Sequence, residues 1–109
     1  MSKTAASHTI RWRRGPDMDL PRGGYYATWH QGGLLLAGGT YWAEGKKLWT
    51  AEVSFFDPAA DAWKRLAPLP RPLGYGSMVE LAGRPYLFSG SDDVQAYREA
   101  YVLDRERWE

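Results

Sequence analysis

Apolar positions along the chain fall in short runs separated by glycine and proline, and helical periodicity is nearly absent. Closely spaced runs of aromatic and β-branched residues are typical of short antiparallel strands. The pattern predicts strands over residues 9–13, 25–30, 34–37, 52–56, 63–66, 75–81, 85–88 and 99–103. Tight turns are predicted over residues 31–33, 57–61 and 82–84, and longer connections over residues 40–50 and 90–96. The expected fold class is all-β.

A phrase that returns after about 50 residues organises these strands. The first copy consists of Leu20-Pro21-Arg22, Gly24-Tyr25, Gly38-Gly39, Phe56-Asp57 and Trp63. The second copy consists of Leu69-Pro70-Arg71, Gly74-Tyr75, Ser89-Gly90, Leu103-Asp104 and Trp108. A repeat of this length is typical of propellers, solenoids and arrays, in which one unit buries little apolar surface without its neighbours.

The phrase resembles the kelch repeat, whose four-stranded units assemble into β-propellers. In that family a diglycine closes the second strand, and a Tyr and a Trp separated by six residues mark the third and fourth strands. The first copy fits this pattern, with Phe56 in the Tyr position, whereas the second has Ser89-Gly90 for the diglycine and Leu103 for the Tyr. The positions expected to serve packing are Trp12, Gly38, Gly39, Phe56, Trp63, Gly90 and Trp108.

The resemblance implies four-stranded antiparallel kelch-type β-propeller blades, about two of them. The expected segments are a tail over residues 1–8, a displaced closing strand over 9–14, and two blades over 24–67 and 74–109, within a kelch-repeat region over 9–109. The closing strand is invoked because the second copy supplies only three strands. A closed propeller typically needs about 4–8 blades. The expectation is therefore either one part of a longer propeller or self-association, in which a trimer would give six blades.

Composition narrows the function classes. The net charge of +1 gives no electrostatic reason to expect nucleic acid or an anionic membrane, and the basic cluster over residues 11–14 fits the solvent side of a strand. The absence of cysteine excludes disulfides and thiolate chemistry. Residues 1–9 lack the apolar core of a signal peptide, and the apolar run over 34–37 is too short to cross a bilayer. A cytoplasmic protein is expected.

Candidate chemistry is sparse. His8 and His30 are too few for a zinc site, and His30, next to a glycine turn, is expected to be exposed or partly hydrogen-bonded. Asp92 and Asp93 share a loop but do not supply the six or more oxygens that calcium takes. Neither a nucleophile elbow nor a phosphate-binding glycine loop is present. No catalytic residue, metal ligand or cofactor is predicted.

Binding residues are sought where the two copies differ, since loops on a rigid scaffold commonly carry function. Trp29, Trp42 and Trp49 have no counterpart in the second copy. In a four-stranded meander the connection between strands two and three lies at the same end as the connection between blades, so the loops over 40–50 and 90–97 are expected to share one face. The candidate binding residues are Arg22, Tyr41, Trp42, Trp49, Arg71, Asp92 and Asp93.

Three functions remain open at this point. The favoured one is a propeller module that mediates protein–protein interaction or scaffolding through loops on one face. The second is a sugar-binding or sugar-processing propeller, because kelch-like proteins include bacterial sialic-acid mutarotases. Arg22, Arg71, Asp92 and Glu80 would supply its charged groups. The third is a purely structural two-blade unit without a site of its own.

Overall fold

A computed structural model describes residues 8–109. This part of the chain consists of strands, turns and extended segments. The strands are β1 Tyr26–His30, β2 Gly33–Ala37, β3 Thr40–Ala43, β4 Lys46–Trp49, β5 Val53–Asp57, β6 Ala62–Leu66, β7 Ser77–Leu81, β8 Arg84–Ser91, β9 Ala96–Asp104 and β10 Arg107–Trp108. The prediction of an all-β protein is confirmed. Within the same range, no helix is long and apolar enough to cross a membrane.

The first sheet has four antiparallel strands in the order β1-β2-β5-β6. Its β1–β2 hairpin pairs His30 with Gly33 across the two-residue turn Gln31–Gly32, in which both residues have positive φ. Positive φ at both central positions defines the type I′ turn, whose twist matches that of the flanking strands. A similar turn, with Ala82 and Gly83, joins β7 to β8.

The second sheet is also a four-stranded antiparallel meander, in the order β7-β8-β9-β10. The prediction that the second copy supplies only three strands is wrong, because Arg107 and Trp108 pair with Asp104 and Leu103 as a short fourth strand. The strand predicted over residues 9–13 is also not formed. Residues 8–17 are exposed there, and no neighbouring strand takes up their backbone hydrogen bonds.

The connection over residues 40–50 differs from the long loop expected from the sequence. It is a hairpin in which β3 pairs with β4, from Thr40 opposite Trp49 to Ala43 opposite Lys46. Glu44 and Gly45, both at positive φ, form its turn. The segment is therefore a short two-stranded ribbon that projects from the end of the first sheet.

The core lies where the two sheets meet, with β1 against β7 and β8. Its fully buried side chains are Tyr26, Leu35, Val53, Leu73 and Leu87. The Tyr26 hydroxyl donates to the carbonyl of Ser89 at 2.6 Å and so ties the first sheet to the second. Burial, supplemented by nearby Tyr101, raises the pKa of Tyr26 to about 12 because the phenolate would lose its hydration.

The repeated glycines and tryptophans occupy equivalent places in the two sheets. Gly39 and Gly90 both have a φ of 110°. A Cβ on Gly39 would lie 2.6 Å from the carbonyl oxygen of Gly23, and one on Gly90 would lie 2.8 Å from that of Gly74. Larger residues are thus excluded by strain and by contact.

The fourth-strand tryptophans make matching hydrogen bonds. Trp63 Nε1 donates to the carbonyl of Pro16 at 3.0 Å, and Trp108 Nε1 donates to that of Ala67 at 3.1 Å. Trp63 also packs against Phe56, with ring centroids 5.2 Å apart. Trp12, which the repeat assigns to packing, is instead 92% exposed because no sheet is formed around it in the described chain.

Candidate functional site

Four chain segments converge at one end of the two sheets and form a surface that we call the loop face: residues 23–25, 38–50, 70–76 and 89–97. Backbone bridges join Gly23 to Thr40 and Gly74 to Ser91. The amide of Tyr75 also donates to the carbonyl of Gly24 at 2.7 Å. The loop face is therefore held by main-chain hydrogen bonds between both sheets, which gives its side chains a rigid support.

The β3–β4 hairpin sorts the candidate aromatic residues onto two sides. Directly opposite residues of an antiparallel pair point to the same side, and sides alternate along each strand. Thr40 lies opposite Trp49, and Trp42 lies opposite Lys47, so these four side chains share one side. Tyr41 lies on the other side. The structure therefore brings Trp42 and Trp49 together and separates them from Tyr41.

Lys47, Trp49, Tyr75 and Thr40 form the first cluster on this surface, which we call the Lys47 cluster. Lys47 Nζ lies 4.9 Å from the ring centroid of Tyr75 and 5.2 Å from that of Trp49. The two rings pack edge to face at 5.5 Å, a favourable aromatic geometry. The Tyr75 hydroxyl lies 3.2 Å from Thr40 Oγ1. Hydrogen bonding to Thr40 and Lys47 lowers the pKa of Tyr75.

Arg71, Tyr97 and Asp92 form the second cluster, the Arg71 cluster. The Arg71 guanidinium lies 4.4 Å from the Tyr97 ring centroid, and the Tyr97 hydroxyl donates to Asp92 Oδ2 at 2.6 Å. Asp92 Oδ1 accepts the backbone amides of Val94 and Gln95. The Tyr97 hydrogen bond, followed by these amides and the Arg71 charge, lowers the pKa of Asp92. Asp93 is exposed beside this cluster.

Arg22, a candidate binding residue, is placed in the interior of the first sheet, and its side chain is 0% exposed. Its guanidinium donates to the carbonyls of Gly38 at 2.7 Å and Leu20 at 2.9 Å, and to Ser54 Oγ at 3.1 Å. Burial lowers the pKa of Arg22, and the nearby carboxylate of Glu52 opposes this shift. Arg22 therefore fastens the chain that enters the first sheet and does not face a partner.

His30 lies at the opposite end of the sheets, and of the two predicted states of its imidazole the exposed one is wrong and the partly hydrogen-bonded one is confirmed. The side chain is buried, and its Nδ1 contacts Glu80 Oε1 of the second sheet. A cleft of about 320 Å³ opens beside this pair and is also lined by Lys64, Arg84 and Arg105. The cleft was missed in the sequence because its residues come from separate strands and turns.

The four charged groups considered for sugar chemistry do not converge. Arg71 and Asp92 share the Arg71 cluster, but Arg22 is buried in the first sheet and Glu80 is engaged by His30 at the other end. Within residues 8–109, no group of three or more His, Asp or Glu side chains is placed to hold a metal ion.

Sequence reasoning also missed Lys47, Tyr75 and Tyr97 as members of the loop face. Tyr75 has a repeat counterpart in Tyr25, so a search restricted to differences between the copies passed over it. No sequence pattern marks Lys47 or Tyr97 as a site residue. Their contacts, Lys47 with the Tyr75 ring and Tyr97 with Arg71 and Asp92, form only in the folded chain.

Comparison with known proteins gives a match in structure alone. No family model and no curated protein sequence matches the chain. Among solved structures, that of YjhT matches with a TM-score of 0.75 at 13% sequence identity, over 91% of this chain and 34% of YjhT. The chain thus spans about a third of the YjhT length and shares its fold over that span.

Proposed function

We propose that this chain is a kelch-type β-propeller module that binds a protein partner through the loop face. Two successive four-stranded meanders support the propeller assignment, as do the matching hydrogen bonds of Trp63 and Trp108. Binding is assigned to the loop face because loops on a rigid scaffold commonly carry recognition.

The observation that carries the binding function is the aromatic surface around Lys47. Trp42 is 71% exposed and lies on the same side of the hairpin as Lys47 and Trp49. Tryptophan and tyrosine bury large areas with few rotatable bonds, which is why they are enriched among binding hot spots. The Lys47 ammonium adds a cation at the centre. This surface suits a protein segment that presents an apolar side chain next to a carboxylate.

Substitution of Trp42 tests the proposal with little risk to the fold. Trp42 makes no ring-stacking contact in the described chain, so Trp42→Ala is expected to leave the free energy of unfolding within about 0.5 kcal/mol of the wild type. If Trp42 is a hot spot, binding should weaken by about 2 kcal/mol, or roughly 30-fold. The matched control is Trp12→Ala, which removes another exposed tryptophan outside the loop face.

The measurement is affinity capture from a cell extract with quantitative mass spectrometry. The four immobilised baits are the wild type, Trp42→Ala, Trp12→Ala and the double variant Trp42→Ala/Trp49→Ala. The proposal expects at least one protein retained by the wild type and Trp12→Ala baits and depleted on Trp42→Ala. The double variant Trp42→Ala/Trp49→Ala should abolish its retention, and titration of the purified partner gives the affinities. Equal retention on all baits would overturn the loop face as the binding surface.

A further inference from the structure

The interface between the two sheets shows how one repeat packs on the next. Strand alternation places Tyr26, His30 and Leu35 on the side of the first sheet that faces the second. Glu80 and Leu87 lie on the facing side of the second sheet. When the two sheets are superimposed by the repeat, the side that the first sheet contributes is opposite to the side that the second contributes, so the interface is head-to-tail. The mode of packing therefore leaves the outward side of each sheet without a partner sheet in the described chain. Part of the first sheet's outward side is covered by residues 16–22, where Trp63 donates a hydrogen bond to Pro16 and Arg22 donates one to Ser54.

The outward side of each sheet exposes apolar residues. On the first sheet, register places Trp29, Leu34, Phe56 and Trp63 on the outward side, and Trp29 is 59% exposed. On the second sheet the outward side carries Val79, Leu81, Tyr86, Phe88 and Val102, and Leu81 is 51% exposed. The Tyr86 and Phe88 rings stack on this side at 6.4 Å. Large exposed apolar patches mark interaction sites in soluble proteins.

Alignment of the two hairpins at their turns shows which residues of the two sheets are equivalent. His30 ends β1 and Leu81 ends β7, each as the last residue paired in a type I′ hairpin. Trp29 and Glu80 precede them in the same strands. Suppose that the first sheet of a second copy packs on the second sheet of this copy as the second sheet packs on the first within one chain. Leu81 of this copy then occupies the position of His30, and Trp29 of the second copy occupies the position of Glu80. The buried His30–Glu80 contact thereby becomes an apolar contact between two side chains that are now exposed.

We propose that a second copy of this chain docks head-to-tail on the outward side of the second sheet, with its Trp29 packed against Leu81. The proposal rests on the repeat geometry of the two sheets and is independent of partner binding by the loop face. Residues 8–15 are exposed and make no backbone hydrogen bond to the first sheet, and Trp29 is 59% exposed among the described residues. Such a heterologous contact propagates until a ring closes.

Complementary variants test this contact. Light scattering and sedimentation over a concentration series should show wild-type association beyond the monomer. Trp29→Lys and Leu81→Lys each disable one side, and each alone should weaken association at least about tenfold. An equimolar mixture should form a 1:1 dimer that does not grow further, because the intact Leu81 of one variant accepts the intact Trp29 of the other. This rescue also shows that both variants are folded.

A control variant distinguishes the contact between copies from the proposed partner binding by the loop face. Trp42→Lys changes an exposed tryptophan on the loop face and should associate as the wild type does, whatever its effect on partner capture. A wild type that is monomeric at all concentrations overturns the head-to-tail contact. The same conclusion follows if both lysine variants still associate alone, or if their mixture stays monomeric while the wild type associates.

Discussion

Removal of the Tyr26 hydroxyl is the sharpest test of how the two sheets are joined. Tyr26 is 1% exposed, and its hydroxyl donates to the Ser89 carbonyl at 2.6 Å. Tyr26→Phe deletes one atom and leaves that carbonyl without its tyrosine donor. Loss of one partner of a buried hydrogen bond costs about 1–3 kcal/mol. We therefore expect the free energy of unfolding at pH 7 to fall by that amount, with little cavity contribution.

The same residue predicts a difference that depends on pH. The pKa of Tyr26 is raised from 10 to about 12 in the folded protein. The stabilisation linked to the neutral phenol is therefore fully present below pH 10 and is lost as pH rises towards 12. Each pH unit in this window corresponds to about 1.4 kcal/mol. Between pH 8 and pH 11, the wild type should lose about 1.4 kcal/mol more than Tyr26→Phe.

Urea unfolding followed by tryptophan fluorescence measures both effects. Wild type and variant are compared at pH 8 and pH 11, so that the other titrating groups, which are common to both chains, cancel in the difference. Parallel pH dependence of the two proteins would refute the burial-driven shift. A decrease of less than about 0.5 kcal/mol at pH 7 would refute the role of the hydrogen bond in joining the sheets.

Three further predictions concern the core, the glycine positions and the loop face. Leu87→Ala removes a fully buried side chain between the sheets and should lower the free energy of unfolding by about 2–5 kcal/mol in urea titration; a loss below about 1 kcal/mol would contradict its place in the core. Gly39→Ala should cost about 2 kcal/mol more than Gly45→Ala, because both have positive φ but only Gly39 has a neighbouring carbonyl in the way; equal costs in thermal unfolding would contradict this. In ultraviolet pH titration, the wild-type minus Tyr75→Phe difference should show phenolate formation with a midpoint below 10, and a midpoint at or above 10 would disprove the lowered pKa.

Much of the fold was predictable because it depends on local pattern. The alternation of apolar residues and the glycine turns located seven of the eight predicted strands to within a few residues. The β3–β4 hairpin was missed, although Glu44-Gly45 fits its turn, because the strands around it alternate weakly and carry exposed lysines. The segment over 9–13 has strand-like residues but lacks a pairing partner in the described chain. Strand propensity without a partner does not form a sheet.

The candidate site was less predictable. The structure places four of the predicted binding residues, Trp42, Trp49, Arg71 and Asp92, on the loop face. Arg22 was selected as well, yet it is buried beneath the loop face. Position in the repeat identifies which loop a residue belongs to. It does not indicate whether a long side chain turns outward to solvent or inward to backbone carbonyls.

The sequence by itself determined the all-β class, the period of the repeat and most strand positions, since these follow from side-chain alternation and from the φ angles that turns require. Only the tertiary structure decided which side of each sheet is covered, that His30 meets Glu80, and that Lys47 lies over Trp49 and Tyr75. The His30–Glu80 contact joins residues 50 positions apart, and Lys47 and Tyr75 lie 28 positions apart. They form when packed sheets and backbone bridges bring separate strands together, a geometry that no local pattern encodes.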